Sequence, residues 1–170
     1  GASYALARFD RLWLVAGIGF LFLNWLGDSL DGTLARVRKK QRPRYGFYVD
    51  HMLDSIGAVA LMAGLGLSGY MSPAVAVGLL VSFLLLSIQS YLGTHVLGEF
   101  RMSFWKFGPT ELRVLLAAGN LACLRWPLVL PSRYRLFDIG GVMGILGMTA
   151  MLLFSTVRNI ARLYDEERIR

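Results

Sequence analysis

The chain has little charge and almost no cysteine. Only 17% of its 170 residues are Asp, Glu, Lys or Arg, whereas 55% are hydrophobic and the mean hydropathy is +0.52. A chain this poor in charge is not an ordinary soluble domain, and the composition predicts a polytopic membrane protein. The single cysteine, Cys123, excludes a disulfide within the chain and is interpreted as a buried thiol that packs as a small apolar residue.

Acidic residues are scarcer than basic ones, with 11 against 18 and a formal net charge of +7. In a soluble protein this excess would suggest a nucleic-acid partner. Here the cations lie in short stretches between apolar segments, and residues 36–44 hold six of them. The positive-inside rule places this stretch in the cytoplasm, where anionic lipid is the expected partner and nucleic acid is not.

Five apolar segments are long enough to cross a bilayer and predict an all-α, multi-pass helix bundle. We treat the whole chain, residues 1–170, as one transmembrane domain. Two stripes of small residues predict close helix approach, and a dimer interface is one interpretation of the first stripe. The stripes are Gly57, Ala60 and Gly64, and then Gly140, Gly144 and Gly147; the predicted spans are residues 12–30, 47–69, 74–97, 109–128 and 137–163.

Four aspartates lie within or beside the first two predicted spans. Asp28 and Asp31 are three residues apart and Asp50 and Asp54 are four apart, so each pair shares one helix face. A charge at mid-bilayer depth costs about 2.5–3.5 kcal/mol, and four would cost on the order of 10 kcal/mol unless a partner neutralised them. Hard oxygen ligands without a nearby thiol suit Mg²⁺, Mn²⁺ or Ca²⁺, so the sequence predicts a divalent-metal site.

The aspartates belong to a longer pattern, Asp-x-x-Asp-Gly-x-x-Ala-Arg, a spacer, and Gly-x-x-x-Asp-x-x-x-Asp. This pattern resembles the signature of the CDP-alcohol phosphotransferases, which are integral membrane enzymes of phospholipid synthesis. The spacer is one residue longer than its commonest form. The family usually has six membrane helices, whereas five are visible here, so the first one is expected to be missing. The eight positions of the pattern are filled by Asp28, Asp31, Gly32, Ala35, Arg36, Gly46, Asp50 and Asp54.

The resemblance implies an enzyme that transfers a phosphoalcohol from a CDP-alcohol to a hydroxyl acceptor and releases CMP. It implies a homodimer whose active site lies on the cytoplasmic face. Two divalent ions, Mg²⁺ or Mn²⁺, are expected to clamp the donor's pyrophosphate. Asp54 is also expected to act as the general base. The implied metal ligands are Asp28, Asp31, Asp50 and Asp54; the implied donor-binding residues are Asp28, Gly32, Ala35, Arg36, Gly46 and Glu111.

Further residues are similar to those of the eukaryotic choline and ethanolamine phosphotransferases, which use diacylglycerol as acceptor. His51 lies about 100° from Asp50 around a helix, so it would flank the metal face. It would act there as a base, bind the acceptor, or simply be a hydrogen-bonded interfacial histidine. Glu111 would join the site or stabilise its own helix terminus. The residues that carry this similarity are His51, Ser55, Gln89, Tyr91, Phe107, Gly108 and Glu111.

Two rival functions remain open at this point. Within the family, the enzyme would use CDP-diacylglycerol and transfer a phosphatidyl group to a polar alcohol. Outside it, the carboxylates would serve a divalent-cation transporter or a structural ion network, although neither calls for the Gly and Ala-Arg positions. No cation cluster outside residues 36–44 is placed to bind a second phosphate, which favours a neutral acceptor such as diacylglycerol.

Overall fold

The computed structural model describes residues 1–37, 42–97, 109–126, 128–129 and 134–167. Positions 28, 31–36, 109, 111, 128 and 129 are described by their backbone only. Within these ranges the chain is helical apart from turns and one two-residue antiparallel ladder, which pairs Leu128 with Arg135 and Val129 with Tyr134. The elements are α1 (Ala2–Leu6), α2 (Trp13–Val37), α3 (Pro43–Leu67), α4 (Pro73–Leu97), α5 (Pro109–Arg125), β1 (Leu128–Val129), β2 (Tyr134–Arg135) and α6 (Leu136–Glu166).

Proline and glycine residues mark several of the helix ends. Pro43, Pro73 and Pro109 each open a helix, because a proline at the first helical position has no amide hydrogen to leave unpaired. After α3, Gly69 takes a left-handed φ of 79°, which glycine adopts without a steric penalty. Ser72 then precedes α4, and its Oγ accepts a hydrogen bond from the Val75 amide at 3.4 Å. This turn is therefore short and well defined.

The helices pack in a ring. In the part of the chain that the structure describes, α2 packs on α5 and α1, α3 packs on α4 and α1, and α4 packs on α6. A lighter contact between α5 and α6 completes the circuit. Between α2 and α3 the ring is bridged chiefly by α1, which is only five residues long. Since α2 and α3 each have 25 residues, most of their length extends beyond this bridge.

The buried apolar cluster lies toward the end of the bundle where α1 sits. Tyr4 contributes a ring that meets Phe137 edge to face, with the centroids 6.4 Å apart. Asn120 is fully buried nearby, and its Nδ2 donates to the Leu14 carbonyl at 3.2 Å. The other members of the cluster are Ala7, Leu14, Leu65, Met71, Ala76, Leu116 and Cys123. The helices are therefore tied together at the end remote from residues 36–44.

The outer surface is strongly apolar. Phe20, Leu146 and Phe154 are more than half exposed, as are many other large apolar side chains on α2, α4 and α6. By length and composition, α4 and α6 are apolar enough to cross a membrane, and α2 has a shorter apolar stretch, Trp13–Gly27. Water would penalise such a surface, whereas lipid would cover it. The prediction of an all-α membrane helix bundle is confirmed.

The five predicted spans correspond to α2–α6, with two differences that matter for the site. Helix α2 continues past residue 30 to Val37, and α3 begins at Pro43 rather than at residue 47. All eight motif positions therefore lie in helix. Residues 38–41, which include three of the six cations, the segment 98–108, and residues 127 and 130–133 lie outside the described residues.

The glycine stripes act at least partly inside the chain. A Cβ at Gly64 would collide with the backbone of Gly1, and one at Gly144 would meet Leu79 Cδ2 at 3.0 Å. The tightest contact on α6 belongs to Gly141, which the predicted stripe omits. At Gly57, Gly140 and Gly147, no atom of the described residues lies within 4 Å of the position that a Cβ would take. Intramolecular packing thus explains part of each stripe without a partner subunit.

Candidate active site

The motif half of α3 is open to solvent. Asp50 and Asp54 are both exposed and stand one helical turn apart. Among described atoms, nothing comes within 4 Å of a Cβ built at Gly46 or at Gly57. Farther along the helix, Gly64 is covered by α1. At about 100° per residue, positions 46, 50 and 57 fall within about 40° of Gly64, so the face that α1 covers at one end is bare at the other.

The first half of α2 is covered on the face that, farther along the helix, carries the motif positions. A Cβ at Gly17 would meet Asn120 Nδ2 at 3.3 Å and Ser3 Oγ at 3.4 Å, so this position faces α5 and α1. Asp28 and Ala35 occupy backbone positions within about 20° of Gly17, and Asp31 lies within about 40°. The two motif segments therefore continue the two helix faces that α1 joins.

Helix α1 packs on both α2 and α3, and we call the space between the motif segments of α2 and α3, beyond α1, the cleft. Its α3 wall carries Asp50 and Asp54, and its α2 wall carries the backbone positions of Asp28 and Asp31. The side chains of Asp28, Asp31, Ala35, Arg36 and Glu111 lie outside the described part of the structure. Gly32 lies in the same stretch of α2.

His51 faces away from the open side of α3. Its Nδ1 lies 2.6 Å from the carbonyl oxygen of Phe47. A carbonyl oxygen only accepts, so Nδ1 carries the hydrogen, and in neutral imidazole the lone pair is then on Nε2. The Phe47 ring lies against the imidazole, with centroids 4.2 Å apart and planes inclined by 32°. His51 is thus held beside the carboxylates rather than among them.

Tyr91, from α4, packs against the imidazole of His51. Its ring meets the imidazole edge to face at 5.2 Å, and it meets the Phe47 ring in the same manner at 6.4 Å. The Tyr91 hydroxyl lies close to the hydroxyls of Ser55 and Ser87, within electrostatic reach of Asp50 and Asp54. Sequence reasoning marked Tyr91 as a point of family similarity but gave it no role. The feature of the sequence that could have pointed to Tyr91 is its residue type, because tyrosine is an amphipathic aromatic residue and here lies within a predicted span.

A second residue that sequence reasoning did not assign is Arg113. Its Nε donates to Asn24 Oδ1 at 2.9 Å, which links α5 to α2. Asn24 lies one turn before Asp28 on α2. The sequence signal was a cation within the first turns of an apolar helix, but only the fold brings it to the wall of the cleft.

The side-chain atoms that the cleft offers as metal ligands suit a divalent cation. The carboxylates of Asp50 and Asp54 offer hard oxygen atoms, while Cys123, the sole thiol, is buried in the cluster around α1. No three His, Cys, Asp or Glu side chains among the described residues form a metal-sized group. A site of four aspartates would also need Asp28 and Asp31, of which only the backbone is described.

A family model matches most of the chain. The model of the CDP-alcohol phosphatidyltransferases matches residues 2–157, which run from α1 into α6. No curated protein and no solved structure matches the chain. The match covers both motif helices, helix α1 and the helix that carries Tyr91.

Proposed function

The chain belongs to the CDP-alcohol phosphatidyltransferase family, and we propose that it transfers a phosphoalcohol group from a CDP-alcohol to a hydroxyl acceptor and releases CMP. The residues of the family match form one transmembrane catalytic domain. In this proposal the acceptor is diacylglycerol and the donor is CDP-choline or CDP-ethanolamine. The residues around His51 and Tyr91 support this branch, because they are the ones that resemble it.

The observation that carries the proposal is the exposure of the motif half of α3, where no described atom lies within 4 Å of a Cβ position at Gly46 or Gly57. Two carboxylates one turn apart are costly on a membrane helix unless a cation or substrate neutralises them. Asp50 and Asp54 are exposed, and Gly46 has no atom of the described residues close to its Cβ position. A nucleotide can therefore approach the α3 backbone next to the charges that a metal-bound pyrophosphate requires.

Each motif residue has a task in this proposal. When bound, two Mg²⁺ or Mn²⁺ ions neutralise the donor's pyrophosphate and the charge that develops on the departing CMP. Asp50 and Asp54 on one wall, with Asp28 and Asp31 on the other, hold the cations. Arg36 contacts a phosphate, and Gly32, Ala35 and Gly46 leave room for the nucleotide. Glu111, in the first turn of α5, helps to bind the donor.

His51 is one of two candidates for the general base. Because Nδ1–H donates to Phe47, the lone pair of the neutral imidazole lies on Nε2, which is the atom that would accept a proton. The acceptor oxygen bonds to the β-phosphorus, the bond from that phosphorus to the oxygen of CMP breaks, and the acceptor's proton passes to Nε2. Asp54 is the second candidate, but a carboxylate that binds a cation is a weak base. Its main role is therefore that of a ligand.

The proposed site faces the cytoplasm, because it adjoins the basic residues 36–44. That is the compartment in which soluble CDP-alcohols are available. We also propose a homodimer, which rests on the family resemblance. The glycine stripes lend it less support than the sequence suggested, since Gly64 and Gly144 pack within the chain.

The test is a donor screen with purified protein in lipid nanodiscs. CDP-choline, CDP-ethanolamine and CDP-diacylglycerol are each supplied with diacylglycerol or with polar alcohols, and CMP is measured. We expect CMP with a CDP-alcohol and diacylglycerol, and its loss when EDTA removes divalent ions. Asp50→Asn should lower the rate by about 10²–10³-fold or more, since it removes a charge that acts on the transition state.

The control is Glu167→Gln, which removes an exposed carboxylate just beyond α6 and should leave the rate unchanged. CMP release only from CDP-diacylglycerol with a polar alcohol would assign the other reaction of the family. Divalent-cation uptake into liposomes without nucleotide, together with no CMP from any donor, would favour transport instead.

A further inference from the structure

Asn24 is the one residue with an amide, hydroxyl or charged side chain in the apolar stretch Trp13–Gly27 of α2. An amide in such a stretch costs free energy unless it forms hydrogen bonds. Asn24 Oδ1 accepts a hydrogen bond from Arg113 Nε of α5 at 2.9 Å. Arg113, which is half-buried, is thus a polar partner that a second helix supplies to α2.

Hydrogen bonds join α2 to α5 near both ends of this apolar stretch. Near its start, Asn120 Nδ2 donates to the Leu14 carbonyl at 3.2 Å. Near its end, the bond between Asn24 and Arg113 lies one helical turn before Asp28. Of these two bonds, the second is therefore the one that holds α2 to α5 close to the motif.

The same face of α2 carries Asn24 and the motif aspartates. At about 100° per residue, the backbone position of Asp28 lies within about 40° of Asn24, and that of Asp31 lies within about 20°. Among the described elements, α2 packs on α5 and α1, whereas its contact with α3 is at most slight. A bond that fixes the rotation of α2 at Asn24 therefore also fixes the direction in which these two positions face.

We propose that Asn24 is a positioning residue for the metal site and acts through its hydrogen bond with Arg113. This inference rests on the proposed function, in which aspartates of α2 and α3 hold the same cations. Mg²⁺ demands a nearly ideal octahedron of oxygen ligands. Ligands on two helices meet that demand only while the helices keep their distance and rotation, and the bond from Arg113 holds α2 in place.

Asn24→Leu removes the amide while nearly keeping the size of the side chain. Leucine suits a membrane helix better than asparagine does, so the protein should still insert and fold. We expect Mn²⁺ to bind about tenfold more weakly and kcat to fall by about 10–100-fold, as is common when a residue that supports metal ligands is lost. Mn²⁺ alone is titrated by EPR into protein in phosphatidylcholine nanodiscs, and the binding that Asp50→Asn abolishes is assigned to the site.

A double-substitution cycle tests whether Asn24 acts through Arg113. Asn24→Leu is made in the wild type and in Arg113→Met, which removes the guanidinium and keeps an unbranched stem. If the two residues act as a pair, Asn24→Leu weakens Mn²⁺ binding by less than about twofold more in Arg113→Met. Leu23→Ala, at an exposed neighbouring position, is the matched control and should behave as the wild type. Thermal unfolding checks the fold of each variant, and Asn24→Ala replaces Asn24→Leu should the latter not fold.

Each outcome decides the question. A folded Asn24→Leu protein with the Mn²⁺ affinity of the wild type would overturn the inference, whatever its kcat. Equal losses of affinity in the wild type and in Arg113→Met would also overturn it, since Asn24 would then act independently of Arg113. A wild type that neither releases CMP nor binds Mn²⁺ through Asp50 would instead reject the proposed function, and this inference with it.

Discussion

The glycines of the two motif helices differ in what surrounds them. Gly17 and Gly64 are sites of close approach, where a side chain would meet α5 or α1. Gly46 and Gly57 have no described atom within 4 Å of a Cβ position. The first pair therefore serves packing, whereas the described residues leave space beside the second pair. The sequence pattern alone could not make this distinction, because all four are glycines in apolar helices.

A substitution at Gly46 tests that distinction. Gly46→Ala should not destabilise the protein, because the Cβ enters open space and alanine favours helix over glycine by about 1 kcal/mol. The added methyl should nevertheless impede the nucleotide and raise the KM for the CDP-alcohol by about tenfold. Thermal unfolding and initial-rate kinetics measure the two effects. Gly19→Ala, also in open space but on another face of α2, is the control. An unchanged KM would show that Gly46 does not border the donor.

Among the described elements, α4 and α6 form the most extensive contact. The Ser72 amide, just before α4, donates to Asp138 Oδ1 in the first turn of α6 at 2.6 Å. A carboxylate at the start of α4 also interacts favourably with that helix's dipole. One turn further into α6, Gly141 lies against Val75 and Leu79. The two helices are thus joined by a polar contact at the end and by close packing just inside it.

Gly141 and Gly140 provide a matched pair for this interface. Gly141→Ala should destabilise the protein by about 1–3 kcal/mol, because the new Cβ collides with Val75 Cγ1 and forces the helices apart. Gly140→Ala should be neutral or stabilising, since no described atom lies within 4 Å. Thermal unfolding in one detergent measures both. Equal losses would indicate that α6 packs against something else through Gly140, such as a second copy of the chain.

At the scale of the whole molecule, the described helices are tied together at one end of the bundle by the buried cluster. The buried cluster around Tyr4, Leu14 and Leu65 joins α1, α2 and α3 at the end remote from the basic residues. The bridging helix α1 does not extend to the opposite end, where the described parts of the motif segments form the walls of the cleft. In the proposed function, the nucleotide would enter this site from the end opposite the buried cluster.

The orientation in the membrane is a prediction that belongs to this scale. Arg42→Cys and Trp126→Cys are made separately in Cys123→Ala and expressed in cells with the outer face accessible. Arg42 precedes α3 and Trp126 follows α5, so they mark opposite ends of the bundle. A membrane-impermeant maleimide should label Trp126→Cys in intact cells and Arg42→Cys only after permeabilisation. Labelling of Arg42→Cys in intact cells would place the site outside the cytoplasm.

The sequence by itself determined the membrane class, the five long helices and the spacing that puts each aspartate pair on one face. These features are local, since they depend on hydropathy and on the helical repeat over fewer than about thirty residues. It also supplied the roles expected of Asp28, Asp31, Asp50 and Asp54, because the motif is contiguous along the chain. Those roles remain predictions.

Only the tertiary structure decided which other side chains reach the cleft. The contact of Arg113 with Asn24 spans 89 residues of sequence, and that of Ser72 with Asp138 spans 66. Tyr91 meets His51 from a different helix. Helix α1 packs between α2 and α3, although nothing in its composition predicts that position. Contacts between separate helices depend on how those helices are arranged around one another. The period of a single helix fixes which face is apolar, but it does not fix which neighbour that face meets.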